Sequence, residues 1–291
     1  MENLIKRIGF PEEAAAQALE IDASVKSNPE VLSLYEALVV DYLAKGMESD
    51  HEKRLSEMAD VLGVHVYALH MVFLLECALR IKAEYDRRGI SEEVYYDTME
   101  DITFKIIECK KFHGFYGVFP FSWYHAIFGV YTFKLGRLEY AIGELQYDSY
   151  RDYAKRGDRV YNCHIPSCGP LTYELVIDSL KRAYKFFGCR DYLIVHCGSW
   201  MLYPPTYREV FPEGSNLRMF YELFDILGEN PTTTNAANIW RVFYRDEFTP
   251  YDELPTDTTL QRNFVKFFKA GNFMGTGKGI LVFDGEKIVN K

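Results

Sequence analysis

The sequence predicts an α+β protein: an all-helical N-terminal domain over residues 1–125, followed by a mixed-sheet domain with flanking helices over residues 126–291. Three observations predict it. From Met1 to about Lys111 apolar residues recur at helical spacing and no convincing strand alternation is found. From Phe112 to Phe133 the composition shifts to aromatics and glycine, with Pro120 breaking any long helix, which places a boundary there. From Arg159 to Trp200 the chain reads as strand, turn, helix, strand, a unit that needs a right-handed crossover and a shared sheet. A chain of 291 residues is long for one core, which also favours two domains.

In the first half, Pro11-Glu12-Glu13 opens an alanine-rich helix. Asn28-Pro29-Glu30 opens the next, with an asparagine cap and proline in the first turn, and Gly46 closes it. Leu32, Tyr35, Leu38, Val39, Tyr42 and Leu43 form its apolar stripe. Helices are further predicted over Leu55–Leu62, over Val64–Arg87, and from Ser91 towards Lys111. Leu55–Val64 looks like the first helix and turn of a helix-turn-helix, but the next segment, His65–Leu75, is apolar nearly all round. A recognition helix needs a polar or basic face, so this one is expected in the core, with His65 and His70 as core or edge histidines. The aromatic stretch 112–133 reads as a core plug, or alternatively as the wall of a pocket.

In the second half, Tyr131–Tyr147 reads as extended chain interrupted at Gly136 and Gly143. The crossover unit has Val160–Ile165 as its first strand and Ser167–Pro170 in its turn. Thr172 is the N-cap of its helix, Leu175, Val176, Leu180, Ala183, Phe186 and Phe187 form the stripe, and Tyr192–Cys197 is the second strand. Beyond it are predicted a helix capped by Ser215-Asn216 through about Leu227, a strand over Ile239–Tyr244 and a helix over Thr258–Ala270. The segment Gly271–Gly279 reads as a connector, and Gly279–Val289 as a hairpin around Asp284-Gly285. Gly271–Gly279 only superficially suggests a P-loop, since Asn272 falls where its first glycine belongs and Gly279 replaces the Ser/Thr.

A net charge of −9 argues against recognition of nucleic acid or an anionic membrane through a global field. No apolar run is long enough to span a bilayer and the N-terminal residues lack a secretory pattern, so a cytoplasmic location is expected. Six scattered cysteines fit reduced thiols. Cys163, His164, Cys168, Cys189, His196 and Cys197 make no zinc pattern, because neighbours on a strand point to opposite faces and no C-x-x-C pair exists; no metal is expected.

Leu135-Gly136-Arg137-Leu138, His164-Ile165-Pro166, Cys197 to Leu202, Ser215-Asn216 and Thr259-Leu260-Gln261-Arg262, in this order and spacing, carry a resemblance. The second half resembles the GNAT-like C-terminal domain of a bacterial acyltransferase family that also carries an all-helical N-terminal domain. The resemblance implies a GNAT-like mixed sheet and an acyl-coenzyme A donor (acetyl-CoA or another acyl-CoA), held where the fourth and fifth strands splay. It further implies acyl transfer to a small-molecule amine, with a homodimer left open. The strands in question would be Arg159–Ile165 and Asp191–Cys197, and the donor's thioester and pyrophosphate would meet Ile165, Pro166, Ser167, Cys168, Gly169, Leu171 and Thr172. The turn departs from the glycine-rich phosphate loop of GNAT enzymes: it holds one glycine, and Pro170 removes an N–H donor. That departure supports a rival reading, a non-catalytic GNAT-like binding module that has lost coenzyme A.

His164, at the end of the first strand of the unit, is a candidate general base, or else satisfies the strand end. Glu139 on the neighbouring strand is a second candidate base, against the reading that it is a solvated strand glutamate. Tyr203 and Ser199 are candidates to protonate the leaving thiolate or to bind the acceptor, with Ser199 also suited to cap the turn after its strand. Cys168, beside a helix N-terminus, has a reading as an acyl-accepting thiol partnered by His164, and one as a small residue filling a tight turn.

Overall fold

The computed structural model describes residues 1–46 and 50–290 and divides the chain into two compact units, Met1–Lys134 and Leu135–Lys291. In the first unit the helices are α1 (Glu2–Arg7), α2 (Glu12–Ser27), α3 (Pro29–Lys45), α4 (His51–Leu62), α5 (Val66–Arg87), α6 (Glu92–Met99), α7 (Asp101–His113) and α8 (His125–Phe128). Asn28 Oδ1 accepts the Val31 N–H at 3.2 Å with Pro29 at the first helical position, and Gly46 closes α3 at φ 76°, as the caps in the sequence predict. The helix expected from Ser91 towards Lys111 is instead two, separated at Glu100.

The segment that would be a recognition helix is the core of this unit. Ala68 to Leu75, Cys77 and Ala78 of α5 are all buried, so no face is left for a groove. His70 is enclosed with them; its ring stacks on Phe121 at 4.5 Å and Nδ1–H donates to the Val118 carbonyl. His65 caps α5 by accepting the Tyr67 N–H. The aromatic stretch plugs the same core: Phe121 lies 5.5 Å from Tyr42 and 5.8 Å from Phe73, and Tyr124 and Phe128 are buried. Among the described residues no single helix is long and apolar enough to cross a membrane.

The division between units falls within β1 (Thr132–Leu135). There follow β2 (Leu138–Glu144), β3 (Ser149–Tyr150), β4 (Ala154–Lys155), β5 (Arg159–His164), α9 (Tyr173–Phe186), β6 (Leu193–Ser199), α10 (Pro204–Glu209), α11 (Asn216–Glu222), β7 (Asp225–Asn230), α12 (Ile239–Phe243), α13 (Thr259–Lys269) and β8 (Thr276–Phe283). The six-stranded sheet runs β1-β2-β5-β6-β8-β7, and β3 and β4 form a separate hairpin. β5 and β6 pair in parallel through α9, while β2–β5, β6–β8 and β7–β8 are antiparallel. The crossover unit is therefore present where the sequence places it, in a mixed sheet. Val176, Leu180 and Ala183 of α9 are buried, whereas Leu175, expected in the stripe, is 40% exposed.

Several expectations are corrected. Ile239–Phe243 is a helix, not a strand: a run of Ile, Trp, Arg, Val and Phe is too short for its periodicity to decide, and packing with Trp200, Phe264 and Phe268 settles it. The helix after Ser215 ends at Glu222, and Asp225–Asn230 is edge strand β7. Gly271–Gly279 is only in part a connector, because β8 begins at Thr276 and pairs on both sides. Glycine in that strand has a steric cause: a Cβ on Gly277 would stand 1.7 Å from the Leu202 carbonyl oxygen. Gly143 does not interrupt β2 but lies inside it, under the Asn162 amide, whose nitrogen would be 2.4 Å from an added Cβ. Gly136, at φ 76°, does make the turn between β1 and β2. The last hairpin is short, with Phe283 bridging Ile288 and Asp284 Oδ1 accepting the N–H groups of Glu286 and Lys287.

Candidate functional site

The parallel pairing at the centre of the sheet is short. β5 and β6 share the register Tyr161↔Val195 and Asn162↔His196. Beyond that point β5 stays on β2 as far as Glu139↔His164, and β6 stays on β8 as far as Ser199↔Gly277. Each strand thus runs on past their last shared pair while bound to its outer neighbour. Residues 163–164 and 197–199, at the carboxyl ends of the two strands, lie beyond this register.

Strand alternation puts Glu139, Asn162, His164, His196 and Lys278 on one face of the sheet, since partners in register and residues two apart share a face. Tyr140, Tyr161 and Cys163 point to the other face. There Tyr140 meets Ser179 of α9, and Tyr161 stacks on Phe187 just past the end of α9 at 4.0 Å. His164 and Glu139, two residues singled out from the sequence, are therefore cross-strand partners. Glu139 is 1% exposed, which corrects the reading of a solvated strand glutamate.

His196, which the sequence weighs only as a metal ligand, stands on the same face. Its Nδ1 lies 3.1 Å from Asn162 Oδ1, an acceptor, so with the amide assigned this way Nδ1 carries the proton and Nε2 keeps its lone pair. Nε2 is buried and has no hydrogen-bond partner among the described residues. Burial first, and then the nearby charge of Lys278, lower the pKa of this imidazole from the ordinary histidine value. Strand alternation across the two inferred strands was the available signal: it places Asn162, His164 and His196 on one side.

The turn that follows β5 is built around Arg137, from the β1–β2 turn. Arg137 Nε donates to the Pro170 carbonyl at 2.9 Å, one terminal nitrogen to Pro166 at 2.9 Å and to Cys168 Sγ at 3.5 Å, and the other to Gly169 at 3.2 Å. Burial lowers the pKa of this guanidinium, although an arginine stays charged. Ser179 fixes the strand ends beside it: its Oγ–H donates to Leu135 O at 2.5 Å, and the oxygen accepts the Leu138 N–H and the Tyr140 O–H. Thr172 caps α9 by accepting the Leu175 N–H at 3.4 Å, as its position predicts. Pro166 and Leu171 are buried, Ile165 and Cys168 partly so, and Ser167 and Gly169 are exposed.

Ser199 Oγ accepts the Met201 N–H and so caps the turn after β6. Tyr203 is 7% exposed, its ring packed over Gly275, and burial raises its pKa. The Cys163 thiol is pushed well above the usual range by its hydrogen bond with Cys197 and by burial, which makes it a poor nucleophile. Among the described residues no group of three His, Cys, Asp or Glu is placed to hold a metal ion.

The sequence matches the family described as GNAT-like C-terminal domain over residues 132–281, and the N-acyltransferase N-terminal domain over residues 1–129. The chain belongs to this GNAT-like acyltransferase family. No curated protein matches it by sequence. Its fold is that of solved acyltransferases. One, in complex with decanoyl-CoA and teicoplanin, superposes with a TM-score of 0.75 at 22% identity over 96% of this chain and 86% of that one. An acyltransferase mutant in complex with octanoyl-CoA gives the same values, and a complex with CoA and 10C-teicoplanin gives 21% identity over the same shares at the same TM-score. The GNAT-like sheet with an N-terminal helical unit is therefore the family's architecture, and the carboxyl ends of β5 and β6 lie in its GNAT-like C-terminal domain.

Proposed function

We propose that the protein is an acyl-CoA-dependent N-acyltransferase acting on an amine of a small molecule. The observation that carries this reading is the short parallel pairing of β5 and β6, whose carboxyl ends run on beyond it, with Glu139, His164 and His196 on one face. The thioester arm of the donor lies between residues 163–164 and 197–199, and the turn Ile165–Thr172 receives the pyrophosphate. The amine attacks the thioester carbonyl: a C–N bond forms, the C–S bond breaks, the nitrogen loses one proton and the thiolate of coenzyme A takes one up. An imidazole on the shared face takes the amine proton. His196 is favoured by its unpartnered Nε2 and by the Asn162 contact that holds its tautomer; His164, with Glu139 opposite, is the second candidate. Ser199 and Tyr203, near the end of β6, are the candidates to protonate the leaving thiolate. Medium-chain donors are the first to test, because solved relatives in this fold hold octanoyl-CoA and decanoyl-CoA.

The rival reading, a binding module without coenzyme A, is favoured by the single glycine of the turn and by Pro170. The two are separated by thermal unfolding with CoA, acetyl-CoA, octanoyl-CoA and decanoyl-CoA, followed by release of free thiol in the presence of an amine panel. A ligand at about a hundred times its dissociation constant stabilises the fold by about 2.7 kcal/mol. Absence of a shift with all four overturns the enzyme reading and supports the binding module; a shift accompanied by thiol release with an amine supports the enzyme.

A further inference from the structure

Arg137 is a buried cation that forms no salt bridge among the described residues. Its hydrogen bonds go to three backbone carbonyls and a thiol, all in residues 166–170, while the Glu139 carboxylate acts on it without direct contact. A buried charge is costly, so the side of the loop on which a further anion could sit carries information. The peptide geometry says where. In a trans peptide the C=O and the following N–H point in opposite directions. With the Pro166 and Pro170 carbonyls turned in to the guanidinium, the N–H groups of Ser167 and Leu171 point outwards, away from it. Neither donates to a protein acceptor among the described residues, nor do the N–H groups of Tyr173 and Glu174 in the first turn of α9.

We propose that Arg137 is the positioning residue that turns the Ser167–Thr172 loop into the pyrophosphate site of the acyl donor, taking from beneath the part that glycines play in a glycine-rich loop. This rests on the coenzyme A reading above. Glycines let a backbone approach an anion by freeing its conformation; here the conformation is imposed by a rigid fork of donors that grips carbonyls and leaves the opposed N–H groups outside. Pro170 costs the loop one donor, at the peptide whose inward carbonyl belongs to Gly169, and leaves the outward N–H of Leu171 untouched. The bound diphosphate meets the outward N–H groups that the fork leaves without a protein acceptor.

The test uses the full chain and two donors with the same acyl group: acyl-CoA, and the acyl-pantetheine thioester, which has no pyrophosphate. Arg137→Lys keeps a positive charge but cannot hold four acceptors in one plane. The expected result is a KM for acyl-CoA raised by about tenfold or more with kcat kept, while kcat/KM for acyl-pantetheine stays within about twofold of wild type. An equal loss on both donors, or no loss on either, overturns the proposal, since a residue that merely supports the fold would not tell the donors apart. Should Arg137→Lys fail to give a native circular dichroism spectrum, Ser167→Pro removes an outward N–H with the fork intact and is expected to show the same split; an unchanged KM for acyl-CoA then overturns it. A wild-type enzyme that uses both donors equally well overturns the pyrophosphate reading itself, which is a different failure.

Discussion

Replacing Ser179 by alanine tests how the β1–β2 turn is held against α9. In the native structure the single hydroxyl proton goes to Leu135 O, and the Ser179 oxygen accepts from Leu138 N–H and Tyr140 O–H. Ser179 and Tyr140 are both fully buried, so water does not replace the lost oxygen. The substitution strands three polar groups. At about 1 kcal/mol each, the lower end of the cost of a buried unsatisfied group, Ser179→Ala should destabilise the protein by about 3 kcal/mol. Urea unfolding followed by circular dichroism reads this directly. Tyr140→Phe provides the internal control. In the wild type it breaks one hydrogen bond and costs about 1 kcal/mol, whereas in the Ser179→Ala background it removes a stranded hydroxyl and returns about 1 kcal/mol, a coupling of about 2 kcal/mol. If the two substitutions add to within about 0.5 kcal/mol, the proton accounting at Ser179 is wrong.

Other outcomes follow from the same geometry. His196→Ala should lower kcat by about 10²- to 10⁴-fold in thiol-release assays, the range for loss of a positioned base, and an unchanged kcat would transfer that role to His164. Because burial lowers the His196 pKa, the wild-type rate should hold as pH falls and decline only below the ordinary histidine value of about 6.5. His70, pushed down to about 4 by burial, is neutral in the fold but takes up a proton in the unfolded chain below about pH 6.5, so its contribution is present above that pH and is lost as pH falls towards 4. The loss amounts to about 3 kcal/mol, and in His70→Phe that part of the pH dependence of unfolding should vanish. Gly277→Ala, which puts a methyl into the Leu202 carbonyl, should cost about 3 kcal/mol or more by thermal unfolding.

Sequence carried furthest where a local rule decides the structure. Asn28 with Pro29, Thr172, Ser215 and Thr258 each cap the helix that they open, and the crossover from β5 through α9 to β6 needs only two apolar runs and one stripe between them. It failed where a distant partner decides. Thr276–Gly279 looks like a connector because its glycines carry no β propensity; they are there because Leu202 and Phe224 press on that strand. Ile239–Phe243 has a composition that serves either state, and only the cluster with Trp200 and Phe264 selects the helix. At the candidate site, the side of the strand was readable for His164 and the cap for Thr172. The grip of Arg137 on carbonyls about 30 residues away was not, since no periodicity records which oxygen a guanidinium will find.

That grip also sets an order of events in folding. Residues 166–170 cannot take their shape from their own conformational preferences, because the fork that shapes them comes from another part of the chain. Arg137 is in turn presented by a hairpin end that Ser179 ties down. Strand β2, helix α9 and the turn must therefore meet before any of the three is finished, and contacts of such separation in sequence close late. In a refolding experiment, recovery of helical signal should precede recovery of donor binding, and the interval between them measures the time the hairpin takes to reach the helix.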